Sequence, residues 1–432
     1  VTLPAIGLAV TLEPGQSLSE GSSYQVAMID ADGDSDLDLV FGQYNDYTEL
    51  WLNDGSGQFV NSGMDLGNAY TSSLYIVDAN NDNSPDLFVG GASGLNQGDA
   101  QLLLNNGSGN FTEDASVTLS NGEEPGSWAV ADVDSDGHLD FALITRESST
   151  PSSTLAIWYG SDSGYPTNPT EHVINDYSCT SLEAADLAVD SADELVVGCS
   201  PVSVSDTEYA GGIQIWQHNG TNLTSLTAVL ETDWDIGDLA FTDIDSNGDT
   251  DIIGTHFNSN TPVSVTGNDH SVWTNSNGTF SAAALDFNGG SLEIADVDGD
   301  SRDDLIIADG STVRLHLGES GASFDYQAGA IETCSAYVQA TASGDVNGDG
   351  KTDIALASTP YYTTTDPADL LLIQDGTNTV CASSDGGGST GGGTSAGDDG
   401  GSGGGALGTA LWLSLGLLSI LRMVRNRDSG GV

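Results

Sequence analysis

A nine-residue acidic loop recurs seven times along the chain, and it limits the possible folds more than any other feature. Its clearest copy, Asp132-Val133-Asp134-Ser135-Asp136-Gly137-His138-Leu139-Asp140, runs straight into the apolar stretch Phe141-Ala142-Leu143-Ile144. Oxygen donors at the first, third, fifth and ninth positions, with a turn residue at the sixth, can curl around one hard cation, as alternate residues do in an EF-hand loop. The copies open at Asp30, Asp78, Asp132, Asp186, Asp243, Asp296 and Asp345, a spacing of 48 to 57 residues. Self-similarity at such a period is the mark of a solenoid or propeller rather than an ordinary globule.

The first unit shows how the repeat is built. Residues 24–29 (YQVAMI) read as a strand, Asp30 to Asp38 as the loop, Leu37 to Phe41 as a second strand and Glu49 to Leu52 as a third. The turn cluster Asn53-Asp54-Gly55-Ser56-Gly57, rich in residues that tolerate positive φ, then leads into Gln58-Phe59-Val60. Four short strands per unit predict an all-β propeller, and seven units predict seven blades. Residues 1–12 precede the first loop as an outer strand and linker would, so they are expected to complete the seventh blade. Trp51, Trp158, Trp216 and Trp273 fall at like places in four units and are expected to pack between neighbouring sheets.

Three loops carry four acids each: Asp30/Asp32/Asp34/Asp38, Asp132/Asp134/Asp136/Asp140 and Asp296/Asp298/Asp300/Asp304. Three replace one acid with asparagine: Asp78/Asn80/Asp82/Asp86, Asp243/Asp245/Asn247/Asp251 and Asp345/Asn347/Asp349/Asp353. Asparagine still offers a carbonyl oxygen, so all six are expected to hold Ca2+. The loop at Asp186 has Ala188, Asp190 and Glu194 at the third, fifth and ninth positions, and is expected to bind weakly or not at all. Clustered carboxylates repel one another unless a cation compensates, so the array itself argues for metal.

The chain holds 64 acids against 7 bases, and Arg422, Arg425 and Arg427 lie in its last eleven residues. Residues 1–405 therefore contain only Arg146, Arg302, Arg314 and Lys351, which excludes nucleic acid or anionic membrane binding through a basic patch. Cys179 and Cys199 flank the degenerate loop almost symmetrically, side by side at the open end of one hairpin, which predicts a disulfide and an oxidising compartment. Cys334 with Cys381 is a second pairing by elimination. The chain does not begin with Met, consistent with a processed precursor.

The D-x-D-x-D-G-x-x-D-L/I loop, the strand after it and the Asn-Asp-Gly-Ser-Gly-x-Phe turn resemble the FG-GAP and VCBS repeat families, the integrin-alpha type of propeller. The likeness covers roughly residues 20–382. The FG and GAP signatures are represented only by Phe41-Gly42 and Val89-Gly90-Gly91-Ala92, so the VCBS branch is the nearer. The resemblance implies metal loops on one face and ligands on the other, where the links between second and third strands lie. Those are Gly42 to Thr48 with Tyr44 and Tyr47, Gly198 to Gly212 with Tyr209, Gly254 to His270 with His256 and Phe257, and Ala357 to Asp369 with Tyr361 and Tyr362.

Past a propeller domain at 1–382, residues 383–405 are nearly all Gly, Ser, Thr and Asp, a flexible linker. Residues 406–421 (ALGTALWLSLGLLSIL) are uncharged and short for a spanning helix, and basic residues follow within 406–432. Spacer, apolar helix and basic end resemble a GlyGly-CTERM sorting signal. That implies transient membrane insertion, cleavage near Gly403 to Ala406 by a rhomboid-type sorting protease, and release to the surface of a gammaproteobacterial envelope.

No HExxH, GxSxG or comparable catalytic constellation occurs; His138 lies in a metal loop and His316 in a strand. The expected function is a calcium-binding, exported, non-enzymatic adhesion module for an extracellular glycan or protein ligand. The alternative is a calcium-dependent polysaccharide lyase on the same scaffold, which four bases in the body of the chain serve poorly.

Overall fold

The fold is described from a computed structural model. It covers residues 12–374 apart from 19–20, 45, 68–70, 92–99, 115–124, 147–151, 176, 188–191, 206–207, 227–229, 232–234, 258–270, 284, 286, 288–289, 311, 321–322, 327–330, 333–335 and 361–368. The linker, the apolar tail and the Cys334–Cys381 pairing lie outside the described residues. No helix among the described residues is long and apolar enough to cross a membrane.

The described residues form seven antiparallel sheets arranged as propeller blades. Six are built from consecutive strands; in the first blade these are Ser23–Ile29, Asp38–Gln43, Glu49–Asn53 and Phe59–Asp65. The remaining sheet is composite, with Leu12–Ser17 added as the outer strand to Ala336–Gly344, Asp353–Pro360 and Leu370–Gln374. The closing strand is thus 12–17, and residues 1–11 lie outside the described residues. It pairs Leu12 with Gln374 and Glu13 with Ile373, with a register shift between Pro14 and Ser17. A Pro and a Gly fit an edge strand with a bulge, where ladder donors are dispensable, and so the segment does not read as a strand in the sequence.

The first strands touch in a ring: Ser23–Ile29, Thr71–Val77, Pro125–Ala131, Ser178–Ala185, Asp235–Thr242, Ser291–Ala295, Ala336–Gly344 and back to Ser23–Ile29. Second strands are covered on both faces by neighbouring blades, so Asp38–Gln43 and Asp86–Gly91 are buried throughout. That is why they read as unbroken apolar runs, while the outer strand Phe59–Asp65 is mostly exposed and polar.

The core lies between blades rather than within them. Tyr75, Phe88 and Leu102 of the second blade pack against Trp128, Phe141 and Trp158 of the third, with Phe88 stacked on Phe141 at 4.8 Å and Trp128 on Trp158 at 5.5 Å. Gly90 makes room for this contact, since a Cβ there would meet Trp128 Cδ1 at 2.6 Å. The four tryptophans do hold one register, paired with Leu39, Phe141, Leu195 and Ile252. Trp158 and Trp273 are fully buried; Trp51 and Trp216 pack partly buried against the core.

One expected loop is instead a strand pair. Glu194–Ser205 and Glu208–His218 continue as a ladder to Ser205 and Glu208, so most of Gly198 to Gly212 forms an extended hairpin. Alternating valines at 202 and 204 suit a pleated surface better than a loop. Cys179 and Cys199 face each other across the first two strands of this fourth blade and form a disulfide.

Candidate metal loops and the opposite face

Each acidic loop joins a first strand to a second strand, and each second strand begins at the ninth-position acid: Asp38, Asp86, Asp140, Glu194, Asp251, Asp304 and Asp353. The six complete loops share one hydrogen-bond plan. The first-position carboxylate turns inward and accepts from the loop's own backbone, as when Asp136 N–H donates to Asp132 Oδ1 at 3.1 Å and Gly137 N–H to Oδ2 at 3.0 Å. Asp30, Asp78, Asp243, Asp296 and Asp345 accept from their loops in the same way. The fifth position caps the seventh N–H in every complete loop, from Asp34 with Asp36 to Asp349 with Lys351.

Curling nine residues so tightly requires two left-handed residues. The sixth position is left-handed as expected, at Ser35, Asn83, Gly137, Gly248, Ser301 and Gly350. The fourth is left-handed as well, at Gly33, Asn81, Ser135, Ser246, Gly299 and Gly348. The sequence reading misses this second turn residue, although Gly, Asn and Ser at that place are the available signal.

One carboxylate oxygen from each of Asp30, Asp32 and Asp38 lies within 4.8 Å of the others. The same holds for Asp132, Asp134 and Asp136, for Asp243, Asp245 and Asp251, and for Asp296, Asp298 and Asp300. Asp34, Asp140 and Asp304 stand outside these groups of three, and each accepts from the backbone of its own loop. In the other two complete loops Asn80 and Asn347 take the third place and cap Asp82 and Asp349 N–H, both at 2.9 Å.

Asn247 stands at the fifth position of the loop at Asp243. The carboxylates brought together in that loop are Asp243, Asp245 and Asp251; Asn247 Oδ1 accepts from Asp249 N–H at 2.7 Å, as the fifth-position acids do in the other complete loops. Its amide nitrogen also ties the loop to the third strand, Nδ2 donating to Asn275 O at 2.8 Å. The physical reason is that an amide carries donors which a carboxylate at this position lacks, and they find a backbone acceptor on the neighbouring strand.

The donor set fits a hard divalent cation. Asp32 Oδ1 is buried with no hydrogen-bond partner, and burial, with Asp34 beside it, raises the Asp32 pKa. A cation held by these oxygens would satisfy that atom and offset the repulsion.

The ninth-position acid has a second task. Asp38 Oδ2 accepts from Ala31 N–H at 3.0 Å and its Oδ1 from Asn53 N–H at 2.8 Å, tying the loop to the third strand. Asp86, Asp140, Asp251 and Asp304 repeat both bonds, and Asp353 accepts from Val346 N–H. Two accepted bonds leave further lone pairs for a metal. Burial pushes Asp38, Asp86 and Asp304 up to about 6 and Asp140 to about 8, against the lowering effect of those backbone donors. In the degenerate loop Glu194 keeps the first of these bonds, accepting from Leu187 N–H at 2.8 Å. The staple therefore survives where the third-position ligand is lost.

Loops are also tied to the next blade. Asn105 Nδ2 donates to Ala31 O at 2.8 Å in the preceding loop, and Asn275 Nδ2 to Leu187 O at 2.8 Å. In the third and sixth blades the equivalent residue is Gly160 or Gly318, where a Cβ would meet Leu139 O at 2.4 Å or Asp303 O at 2.3 Å. Tyr165 Oη donates to Leu139 O of the third blade's own loop at 2.9 Å, the counterpart of Asn105 Nδ2 donating to Pro85 O in the second.

Antiparallel strands put the links between second and third strands at the other end of each blade. There Tyr44 and Tyr47 are exposed, Tyr44 beside Tyr24 at a ring distance of 5.2 Å, and Tyr337 is exposed at the start of its first strand. The side chains of Tyr209, His256, Phe257, Tyr361 and Tyr362 lie outside the described residues.

The inner ring carries a buried polar network with no counterpart in the sequence reading. Tyr75 Oη donates to Glu183 Oε1 at 2.9 Å, and Ser343 Oγ donates to Glu293 Oε1 at 2.9 Å. Between them Asp238 accepts Leu239 N–H and Leu292 N–H, both at 2.8 Å. Burial raises Asp238 well above the carboxylate range and Glu293 to about 8.

A ring of four-stranded blades with acidic loops at one end defines a repeat β-propeller. Residues 30–89, 78–143 and 296–356 match the FG-GAP-like repeat family, so the chain carries three FG-GAP-like repeats within a β-propeller. Among solved structures it is similar to BBS1N, crystallised in complex with ARL6DN and soaked with mercury, at 12% identity and a TM-score of 0.51. That match covers 86% of this chain and 100% of the other, and it shows likeness of fold. A lead-soaked crystal of the same complex gives 13% identity and a TM-score of 0.48, over 86% and 98% of the two chains. No curated protein matches the sequence.

Proposed function

We propose that this propeller is a calcium-stiffened, exported binding module without catalytic activity, presenting a surface to an extracellular glycan or protein. The observation that carries this reading is the shared hydrogen-bond plan of six acidic loops, four of which bring three carboxylate oxygens within 4.8 Å of one another. Ions held at one end of the blades stiffen the scaffold and leave the other end for a ligand, where Tyr44, Tyr47 and Tyr337 are exposed. The formal charge of −57 selects against anionic partners. In this reading residues 406–421 insert transiently in a membrane and a rhomboid-type protease cuts before them, delivering the propeller to the cell surface.

The test is a glycan-array and surface-protein binding screen of the full chain, with calcium and with chelator. Calcium-dependent capture that weakens in Tyr44→Ala and Tyr47→Ala supports the reading. Saccharide-dependent release of unsaturated product would replace binding with lyase chemistry.

A further inference from the structure

The seventh position of the loops, which contributes no side-chain ligand, varies more in charge than any ligand position. It is Asp36, Ser84, His138, Asp249, Arg302 and Lys351 in the six complete loops. Only four bases occur in residues 1–405, and two of them stand at this one position. Scattered by chance in so acidic a chain, they would seldom coincide there.

The structure shows why a charge at this position matters. In every complete loop the seventh N–H donates to the fifth-position side chain, from 2.7 Å at Asp249 to 3.0 Å at Asp36 and Lys351. The seventh side chain therefore starts a few bonds from a ligand oxygen. Arg302 goes furthest: its Nη2 pairs with Asp300 Oδ2, and its Nε donates to Gly318 O at 3.0 Å. Gly318 N–H in turn donates to Asp304 Oδ1 at 2.7 Å, so the guanidinium is fixed between the fifth-position ligand and the strand that the ninth-position ligand holds. Its charge also acts to lower the pKa of Asp298, opposing burial. By contrast, Asp249 is turned to the outside of its loop, where its Oδ2 accepts from Asn277 N–H at 2.9 Å.

Summed over the five odd positions, the formal charge is −5 in the loop at Asp30, −3 at Asp78, −4 at Asp132 with His138 neutral, −4 at Asp243, −3 at Asp296 and −2 at Asp345. We infer that the seventh position ranks the loops for divalent cations: the Asp30 loop fills first, the Asp345 loop fills last because Lys351 is a built-in counter-charge, and Arg302 lowers the four-acid loop at Asp296 to the level of the loop at Asp78. This rests on the reading that the loops bind calcium. The consequence is local, because the loop at Asp345 lies at the ring closure, where Val346 O accepts from Asn53 Nδ2 of the first blade. The seam then tightens only when ambient calcium is high enough to fill the weakest site.

Calorimetric calcium titration of the chelated full chain tests this. Wild type is expected to show tight and weak classes of site. Arg302→Gln and Lys351→Gln should each tighten one weak site by roughly tenfold with no change in stoichiometry, since a unit charge about 7 Å from a divalent ion acts at that scale in water. Raising the salt should shrink the difference, which a packing effect of the side chain would not do. Asp36→Asn should weaken a tight site. One uniform class, or weak sites unmoved in both basic-residue variants, overturns the ranking while leaving calcium binding intact; no binding by wild type overturns the calcium reading and the ranking together.

Discussion

Asn53 Nδ2 donates to Val346 O at 2.7 Å, joining the third strand of the first blade to the acidic loop of the last across 293 residues of sequence. The same amide donates to Leu37 O at 3.0 Å, and Asn53 Oδ1 accepts from Gly55 and Gly57 N–H. One buried side chain thus organises its own turn, its own loop and the neighbouring loop. Asn53→Ala leaves buried carbonyls without donors and is expected to cost about 2–3 kcal/mol in denaturant unfolding. Asn106→Ala, on an exposed turn, should change stability by less than about 0.5 kcal/mol.

Ring closure has a second clasp at the outer edge. Phe59 N–H donates to Gln16 Oε1 and Gln16 Nε2 donates to Phe59 O, both at 2.8 Å. Gln16→Ala should cost about 1–2 kcal/mol. Removing residues 1–17 should cost more and expose the edge of Leu370–Gln374, so that the truncated chain self-associates in sedimentation velocity while the full chain does not.

The disulfide Cys179–Cys199 closes a separation of 20 residues in the blade whose acidic loop is degenerate. Cys179→Ser is expected to lower stability by about 3 kcal/mol on the chain-entropy view, with calcium held saturating. Because both cysteines are buried, the native protein should resist labelling by a thiol reagent after mild reductant until denaturant is added.

Glu293 gives the inner ring a definite pH response. Its pKa rises from 4.5 to about 8 on burial, so the folded state keeps a proton that the unfolded chain gives up between those values. Stability should therefore fall as pH rises from about 4.5 to about 8 and level off above, with a total loss of a few kcal/mol. Asp238 is raised for the same reason and acts in the same direction. Glu293→Gln keeps an acceptor for Ser343 Oγ and cannot ionise. Chemical melts across this window should show a shallower loss for the variant, and an equal loss would mean that Glu293 is not the group responsible.

Much of this was legible because the repeat is written in two superposed periods. The acids at alternate positions gave the loop, the apolar runs gave the doubly covered second strands, and Cys179 with Cys199 gave a register that the ladder bears out. What escaped the sequence depends on contacts between distant residues. Leu12–Ser17 carries no alternation, because an outer strand buries little and its pairing is set by Leu370–Gln374. The extended Glu194–Ser205 hairpin was hidden behind Ser, Pro and Asp, which read as loop residues. Glu183, Asp238 and Glu293 carry no local signal in the sequence, since nothing around them shows that successive blades bring them to one inner ring. Asn247 read as one more oxygen donor, and its tie to Asn275 O appears only once the third strand, 28 residues on, is in place. The ninth-position acids read as metal ligands alone, and their hold on the third strand becomes visible only with residues 14 to 24 positions further on in place.

Calcium loading is the measurement that bears most directly on the account. Native mass spectrometry of the chelated and calcium-loaded chain, paired with thermal melts, should count six ions and show a higher melting temperature when loaded. Asp134→Ala and Asp298→Ala should each remove one ion, and Asp190→Ala none. An unchanged mass and an unchanged melting temperature on adding calcium would contradict the account.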